Sequence, residues 1–270
     1  MATNNSNASQ CVRKKVQRIT KEVVGDFTVT TRPFIGTGTF GKVCEAEHNE
    51  THVKVAVKEI AITSYNERNN DMCDMADREL TILQRLKSHR NIVQILDFVL
   101  EEDSCWIFME LCSLGDLKVY LKKHSEINFE SKLKILDQSA SALAFMHRQK
   151  PAIIHRDLKL ENILMARQGD EDVVKLTDFG LSEVFTDKHP ASFSALFNRG
   201  KLMSTACGSH FFLAPEFFAE QEGGLQYDPS IDVFALGLVH KVVLEYTVDN
   251  REILPLSGNV TYCISLLLYV

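Results

Sequence analysis

Ile154-His155-Arg156-Asp157-Leu158-Lys159-Leu160-Glu161-Asn162 sets six polar or charged residues between two short apolar pieces, Ala152-Ile153-Ile154 and Asn162-Ile163-Leu164-Met165. A solvated turn needs no such ordering. Val173 to Leu176 then has a strand-like pattern and leads into Thr177-Asp178-Phe179-Gly180. Two aspartates, a lysine and an asparagine therefore lie close to apolar segments, where a rigid scaffold can hold polar groups for chemistry.

Upstream the pattern is that of half-buried antiparallel strands. Phe27-Thr28-Val29-Thr30, Val43 to Glu47 and Val53 to Lys58 alternate apolar and polar positions. Ile92-Val93-Gln94-Ile95-Leu96 and Trp106-Ile107-Phe108-Met109 read as two more strands. Residues 71–87 carry helical spacing, with Met72, Met75, Ala76, Glu79, Leu80, Leu83 and Leu86. Downstream, helices dominate. Leu117 to Lys123 is a short one. Phe129 to Arg148 is a long one, with Leu133, Leu136, Ala140, Leu143, Ala144 and His147 on one side. Residues 182–213 have weak periodicity and read as a long loop, a length that usually marks function or disorder. Ile231 to Glu245 is a strongly apolar helix.

Ile35-Gly36-Thr37-Gly38-Thr39-Phe40-Gly41-Lys42-Val43 contains G-x-G-x-x-G and also begins a G-x-x-x-x-G-K phosphate loop. The second form fails because Val43 stands where a Ser or Thr hydroxyl is needed for Mg²⁺. The chain beyond it continues as an alternating strand, not as a helix whose N-terminus would hold phosphate. A glycine-rich hairpin closing over phosphates with backbone N–H groups survives. Such a hairpin calls for a neutralising lysine on the next strand, and Val55-Ala56-Val57-Lys58 supplies it. A buried ammonium needs an anion. Glu79, with Leu80 and Leu83 beside it, is the candidate, and Asp77 is its neighbouring decoy.

Together with Ala214-Pro215-Glu216 and Asp232-Val233-Phe234-Ala235-Leu236-Gly237, these motifs resemble, in order, those of eukaryotic protein kinases of the serine/threonine type. The resemblance covers residues from about 27 to 246. It implies an α+β, two-lobed protein-kinase-like fold: a small antiparallel-sheet N-lobe with one helix over 27–111 and a mainly helical C-lobe over 112–270 that lacks the family's last helices, while the polar and basic composition of 1–26 reads as a flexible tail. It implies ATP and Mg²⁺ as cofactors, and transfer of the γ-phosphate to Ser or Thr hydroxyls of protein substrates. Asp157 would orient the hydroxyl and take its proton, and Lys159 would reach the γ-phosphate. Asn162 and Asp178 would hold Mg²⁺. Lys58, held by Glu79, would meet the α- and β-phosphates under the loop Ile35 to Val43. Val43, Ala56 and Leu164 would sandwich the adenine, with Met109 behind it and Glu110 to Cys112 as the hinge. Leu83, His155 and Phe179 would stack in a column joined to Asp232. Lys159 and Ser209 match the serine/threonine pattern. Thr205, with Ser204 beside it, matches the phosphorylated position, where a phosphate would pair with Arg156. An upstream kinase, or the chain itself, would supply it. Glu161 and Asp116 lie where related kinases accept basic residues upstream of the target.

The departure from the family comes at the end, where only 54 residues follow Glu216 and no likeness is read beyond about 246. Further helices and an arginine partner for that glutamate are expected there, whereas the chain runs through Asn250, Pro255 and Gly258 into VTYCISLLLYV. That apolar end reads as a patch on exposed core or as an unrelated segment left by truncation. The alternative it raises is a fragment that binds ATP but transfers poorly.

Composition narrows the class without naming it. Thirty basic and 36 acidic residues give a net charge of −6, which offers no global attraction to nucleic acid. Forty-five per cent hydrophobic residues over 270 positions allow a substantial core. No apolar run approaches the length of a membrane-spanning helix. The seven cysteines form no C-x-x-C pair, so free thiols in a reducing interior are expected. The location implied is cytoplasmic, with nuclear import by the basic run Arg13 to Lys21 as the alternative.

Overall fold

The computed structural model describes residues 20–38, 41–62, 70–124, 126–185, 212, 214 and 228–246. Thr39, Phe40, Ser204, Thr205, Ser209, Pro215, Glu216 and the apolar end lie outside them.

Seven strands form the first sheet: β1 (Thr20–Val24), β2 (Phe27–Arg32), β3 (Gly36–Gly38), β4 (Gly41–His48), β5 (Lys54–Ala61), β6 (Ile95–Leu100) and β7 (Ser104–Glu110). The order is β1-β2-β4-β5-β7-β6, with β3 pairing β4, and the pairs are antiparallel. The alternation in β5 decides which side chains go where, because successive residues face opposite sides. Val55 and Val57 join Phe27, Val29, Trp106 and Phe108 in one core. Phe27 and Phe108 stack there with ring centroids 4.0 Å apart. Ile60 goes to the other face, into a core it shares with Leu80, Leu83 and Ile107. Lys58 is therefore carried to the face covered by helix α1 (Asn70–Leu86), and α1 brings Leu80, Leu83 and Glu79 to meet it.

Beyond the sheet come α2 (Leu117–Lys123) and α3 (Phe129–His147). Asp116 caps α2 by accepting from Val119 N at 2.7 Å, and Asn128 caps α3 by accepting from Ser131 N at 2.8 Å. Strands β8 (Gly115–Asp116), β10 (Ile163–Gln168) and β11 (Glu171–Leu176) form a sheet in the order β11-β10-β8. A two-stranded ribbon pairs β9 (Ala152–Ile154) with β12 (Glu183–Phe185). Helix α4 (Ser230–Glu245) buries Ile231, Ala235, Leu236, Val239, Val242 and Val243. Each of these except Ala235 contributes roughly 1.5–3 kcal/mol when removed from water. Lys132 reaches from α3 to the open end of α4, donating to Leu244 O at 3.1 Å and Tyr246 O at 2.8 Å.

Three expectations change. Residues 20–24 form an edge strand rather than part of a tail; the hydrogen-bonded edge of β2 and the burial of Val24 outweigh four exposed positions. The buried side of α3 runs through Ile135, Ala142, Leu143 and Met146, while Leu133 faces solvent. Within the segment expected to be loop, 183–185 pairs with β9.

Candidate active site

Two polar clusters meet between the first sheet and the helical part. In the first, Lys58 Nζ lies 2.7 Å from Glu79 Oε1, 2.8 Å from Glu79 Oε2 and 2.8 Å from Asp178 Oδ1. Lys58 and Glu79 side chains are only 4% and 3% exposed, so the charges must answer one another. Burial alone would depress the Lys58 ammonium, but attraction to Glu79 and Asp178 outweighs it and keeps the lysine protonated above its usual range. Burial also pushes the Glu79 carboxyl up, against the pull of Lys58. Asp77, the decoy, points to solvent.

The second cluster surrounds Asp157. Lys159 Nζ donates to Asp157 Oδ2 at 2.6 Å, and Asn162 Nδ2 donates to the same oxygen at 2.9 Å and to Asp157 O at 2.7 Å. Burial raises the Asp157 carboxyl, opposed by Lys159. A carboxylate lifted toward neutral pH is a better proton acceptor in a transition state.

The backbone that carries these groups is held from below. Asp232, near the start of α4, accepts from His155 N at 2.7 Å and Arg156 N at 2.8 Å, and its Oδ2 is 2.9 Å from His147 Nε2. These bonds hold Arg156 at φ +68°, a conformation that costs energy in a non-glycine residue. Asp178 sits at φ +62° and so turns its carboxylate to Lys58. Leu83, His155 and Phe179 are all buried, the rings of the last two lie 5.2 Å apart, and His155 Nε2 is 3.0 Å from Thr177 O.

The glycine hairpin forms by the pairs Gly36↔Val43, Thr37↔Lys42 and Gly38↔Gly41, and its tip, Thr39 and Phe40, lies outside the described residues. Gly41 has a steric reason: a Cβ there would stand 2.2 Å from Glu59 O. Ile35 is exposed at the mouth, and Lys42 Nζ lies 5.1 Å over the Phe34 ring. Ala56 and Met109 are cross-strand partners and both are buried. Leu164 pairs with Lys175 across β10 and β11. Burial first, and the nearby Glu110 charge second, push the Cys112 thiol up to about 12, so it stays protonated and inert.

Other expected groups have partners. Glu161 Oε1 accepts from Lys118 Nζ at 2.8 Å, and Asp116 caps α2. Arg156 Nη1 donates to Glu183 Oε2 at 2.6 Å, and its Nε donates to Leu181 O. The expected bond between Arg156 and phosphate on Thr205 or Ser204 lies outside the described residues.

Sequence reasoning passed over Lys175 and Glu183. Lys175 is 2% exposed and places Nζ 2.7 Å from Glu110 Oε1. The signal was a lone lysine in the buried run Val173-Val174-Lys175-Leu176.

Asp178 and Asn162 are hard oxygen donors, and Asn162 turns its Nδ2 to Asp157, which leaves Oδ1 for a cation. Two such ligands fit Mg²⁺, which completes its shell with water and phosphate oxygens.

A glycine hairpin over a buried lysine, and a carboxylate and an amide on one short turn, define a phosphoryl-transfer class of site. The family model for the protein kinase domain matches residues 29–250, and the chain belongs to that family. The chain is 31% identical over 242 residues to the serine/threonine-protein kinase ATG1c of Arabidopsis thaliana, covering 90% of this chain and 29% of that one. It is 33% identical over 207 residues to the carbon catabolite-derepressing protein kinase of Secale cereale, covering 76% and 37%. It is 35% identical over 219 residues to the hormonally up-regulated neu tumor-associated kinase of Homo sapiens, covering 80% and 27%. The chain spans about a third of the length of these relatives. ATP, Mg²⁺ and protein substrates are general to the family.

Proposed function

We propose that this chain transfers the γ-phosphate of ATP to Ser or Thr hydroxyls of protein substrates. The observation that carries this reading is Lys58, buried between Glu79 and Asp178 under the glycine hairpin. In that place the ammonium neutralises the α- and β-phosphates, while Glu79 keeps it from swinging away. Asp157 accepts the hydroxyl proton as the oxygen attacks phosphorus. Lys159, already at the Asp157 carboxylate, faces the charge that gathers on the transferring group. Asn162 holds Asp157 in register and, with Asp178, is the pair that would hold Mg²⁺. A bound Mg²⁺ supplies charge neutralisation at the phosphate oxygens. Met109, Ala56, Val43 and Leu164 form the apolar slot for the base, and the backbone of Glu110 to Cys112 reads its edge.

The substrate's upstream basic residue, implied by Glu161 and Asp116, would compete with Lys118 for Glu161. Mg-ATP-dependent labelling of a mixed peptide library, run beside Asp157→Asn, tests the reading. Label on Ser and Thr that falls about 10²–10³-fold in the variant supports it. ATP binding with no label above the variant supports an ATP-binding regulatory role instead.

A further inference from the structure

Arg156 joins two parts of the site. Its main-chain N–H is fixed by Asp232 Oδ1 at 2.8 Å, its side chain is 2% exposed, and the next residue is Asp157. A guanidinium that deep needs an anion. The chain provides one from the far side of Asp178-Phe179-Gly180: Glu183 Oε2, 2.6 Å from Arg156 Nη1. Leu181 O, in the same segment, accepts from Arg156 Nε. The position of Glu183 is not left to its side chain alone. Glu183 pairs with Ile154 in the β9–β12 ribbon, so the strand that ends just before His155 also holds the residue that grips Arg156. Val184↔Ile153 and Phe185↔Ala152 extend the ribbon, and Ile153 and Ile154 are fully buried. The Glu183 carboxylate meets the Arg156 guanidinium in a short, charge-assisted bond, the kind of contact an added phosphate would also make.

We infer that Glu183 is a positioning residue: it holds Arg156, and through it Asp157, in the way a regulatory phosphate would, so that transfer does not depend on phosphate at Thr205 or Ser204. This rests on the phosphoryl-transfer reading of the site.

The test uses the full chain, treated with a Ser/Thr phosphatase until mass spectrometry finds no phosphate. The treated chain keeps its kcat within about twofold, as does Thr205→Ala. Glu183→Gln lowers kcat by about tenfold or more with little change in KM for ATP, because it loosens the catalytic turn and not the nucleotide slot. Glu183→Asp, which keeps the charge one methylene shorter, recovers part of the loss. Amide hydrogen exchange is the second readout. The amides of 152–154 and 183–185 stay protected after phosphatase treatment and lose protection in Glu183→Gln. Phosphatase treatment that lowers kcat about tenfold, or a Glu183→Gln chain as active and as protected as its parent, overturns the inference. If Glu183→Gln does not fold, Glu183→Asp and the phosphatase arm decide. A wild-type chain that transfers no phosphate refutes the function proposed for the site, and the exchange pattern then decides the role of Glu183 by itself.

Discussion

Lys175 Nζ stands 2.7 Å from Glu110 Oε1, and so ties the strand leading to Asp178 to the end of β7, where the chain leaves the first sheet. Glu110 Oε1 also accepts from Gln94 N at 2.9 Å, and Glu110 N donates to Gln94 O at 3.0 Å. Lys175→Met strands a half-buried carboxylate beside the base slot. The loss of stability expected is about 2 kcal/mol, less than for a fully buried pair because Glu110 keeps some contact with water. Lys175→Arg retains most of it. Urea unfolding of the three chains without nucleotide is the measurement.

Removing Lys58 does something different. Lys58→Met leaves Glu79 and Asp178 facing one another without a cation between them. Transfer falls about 10²–10³-fold, the usual scale for losing one preorganised charge contact. Glu79, raised by burial already, is pushed further up once the opposing pull of Lys58 is gone. A carboxyl whose folded pKa exceeds its unfolded one stabilises the fold below the unfolded pKa and loses that contribution as pH rises through the folded one. The variant is therefore stabler, relative to wild type, at pH 5 than at pH 8, which thermal melts across that range will show.

At Gly41 the obstacle is backbone. An added Cβ meets Glu59 O at 2.2 Å, and no side chain can move to make room. Gly41→Ala pushes β4 from β5 at the root of the hairpin. Expected are about 1–3 kcal/mol of lost stability and a raised KM for ATP with a smaller change in kcat. Steady-state kinetics against ATP separates the two, and an unchanged KM counts against the hairpin as the phosphate cover.

His240, inside α4, has Nε2 2.9 Å from Ser139 Oγ, and burial lowers its pKa to about 4. Unfolded, it titrates near the ordinary histidine value of about 6.5. Between these values the unfolded chain binds a proton that the folded one refuses. The neutral histidine's contribution is full above pH 6.5 and is lost as pH falls toward 4, by about 1.4 kcal/mol per pH unit. Urea midpoints of wild type and His240→Gln at pH 7 and pH 5 check the sign: the variant has the shallower dependence.

Much of the site is legible in the sequence because alternation and spacing are local. Lys58 and Ile60 alternate with Val55 and Val57, and that alone sends the lysine to the side where α1 lies. Glu79 is preferred over Asp77 because Leu80 and Leu83 mark the inward face. The failures come where tertiary pairing outweighs local pattern. Ile92 and Val93 read as the start of a strand, yet they are buried in a connection that touches Leu176, and β6 begins at Ile95. A short apolar run cannot say which kind of burial it will have. β12 is three residues whose strand character comes from β9. Glu183 lies in that segment, and Lys175, in a strand legible from its pattern, finds its partner Glu110 on a different sheet, so neither partner could be read from spacing.

The anchor of the catalytic turn comes late in the chain. Asp232 fixes the main chain of Arg156 from 76 positions further along. A chain growing from its N-terminus therefore synthesises Lys58, Asp157 and Asp178 well before it has the carboxylate that sets their turn. Domains generally fold as units, so the alignment of this turn is expected only once α4 has docked. The turn that carries Asp157 therefore waits for a contact supplied only after the polypeptide has passed Asp232.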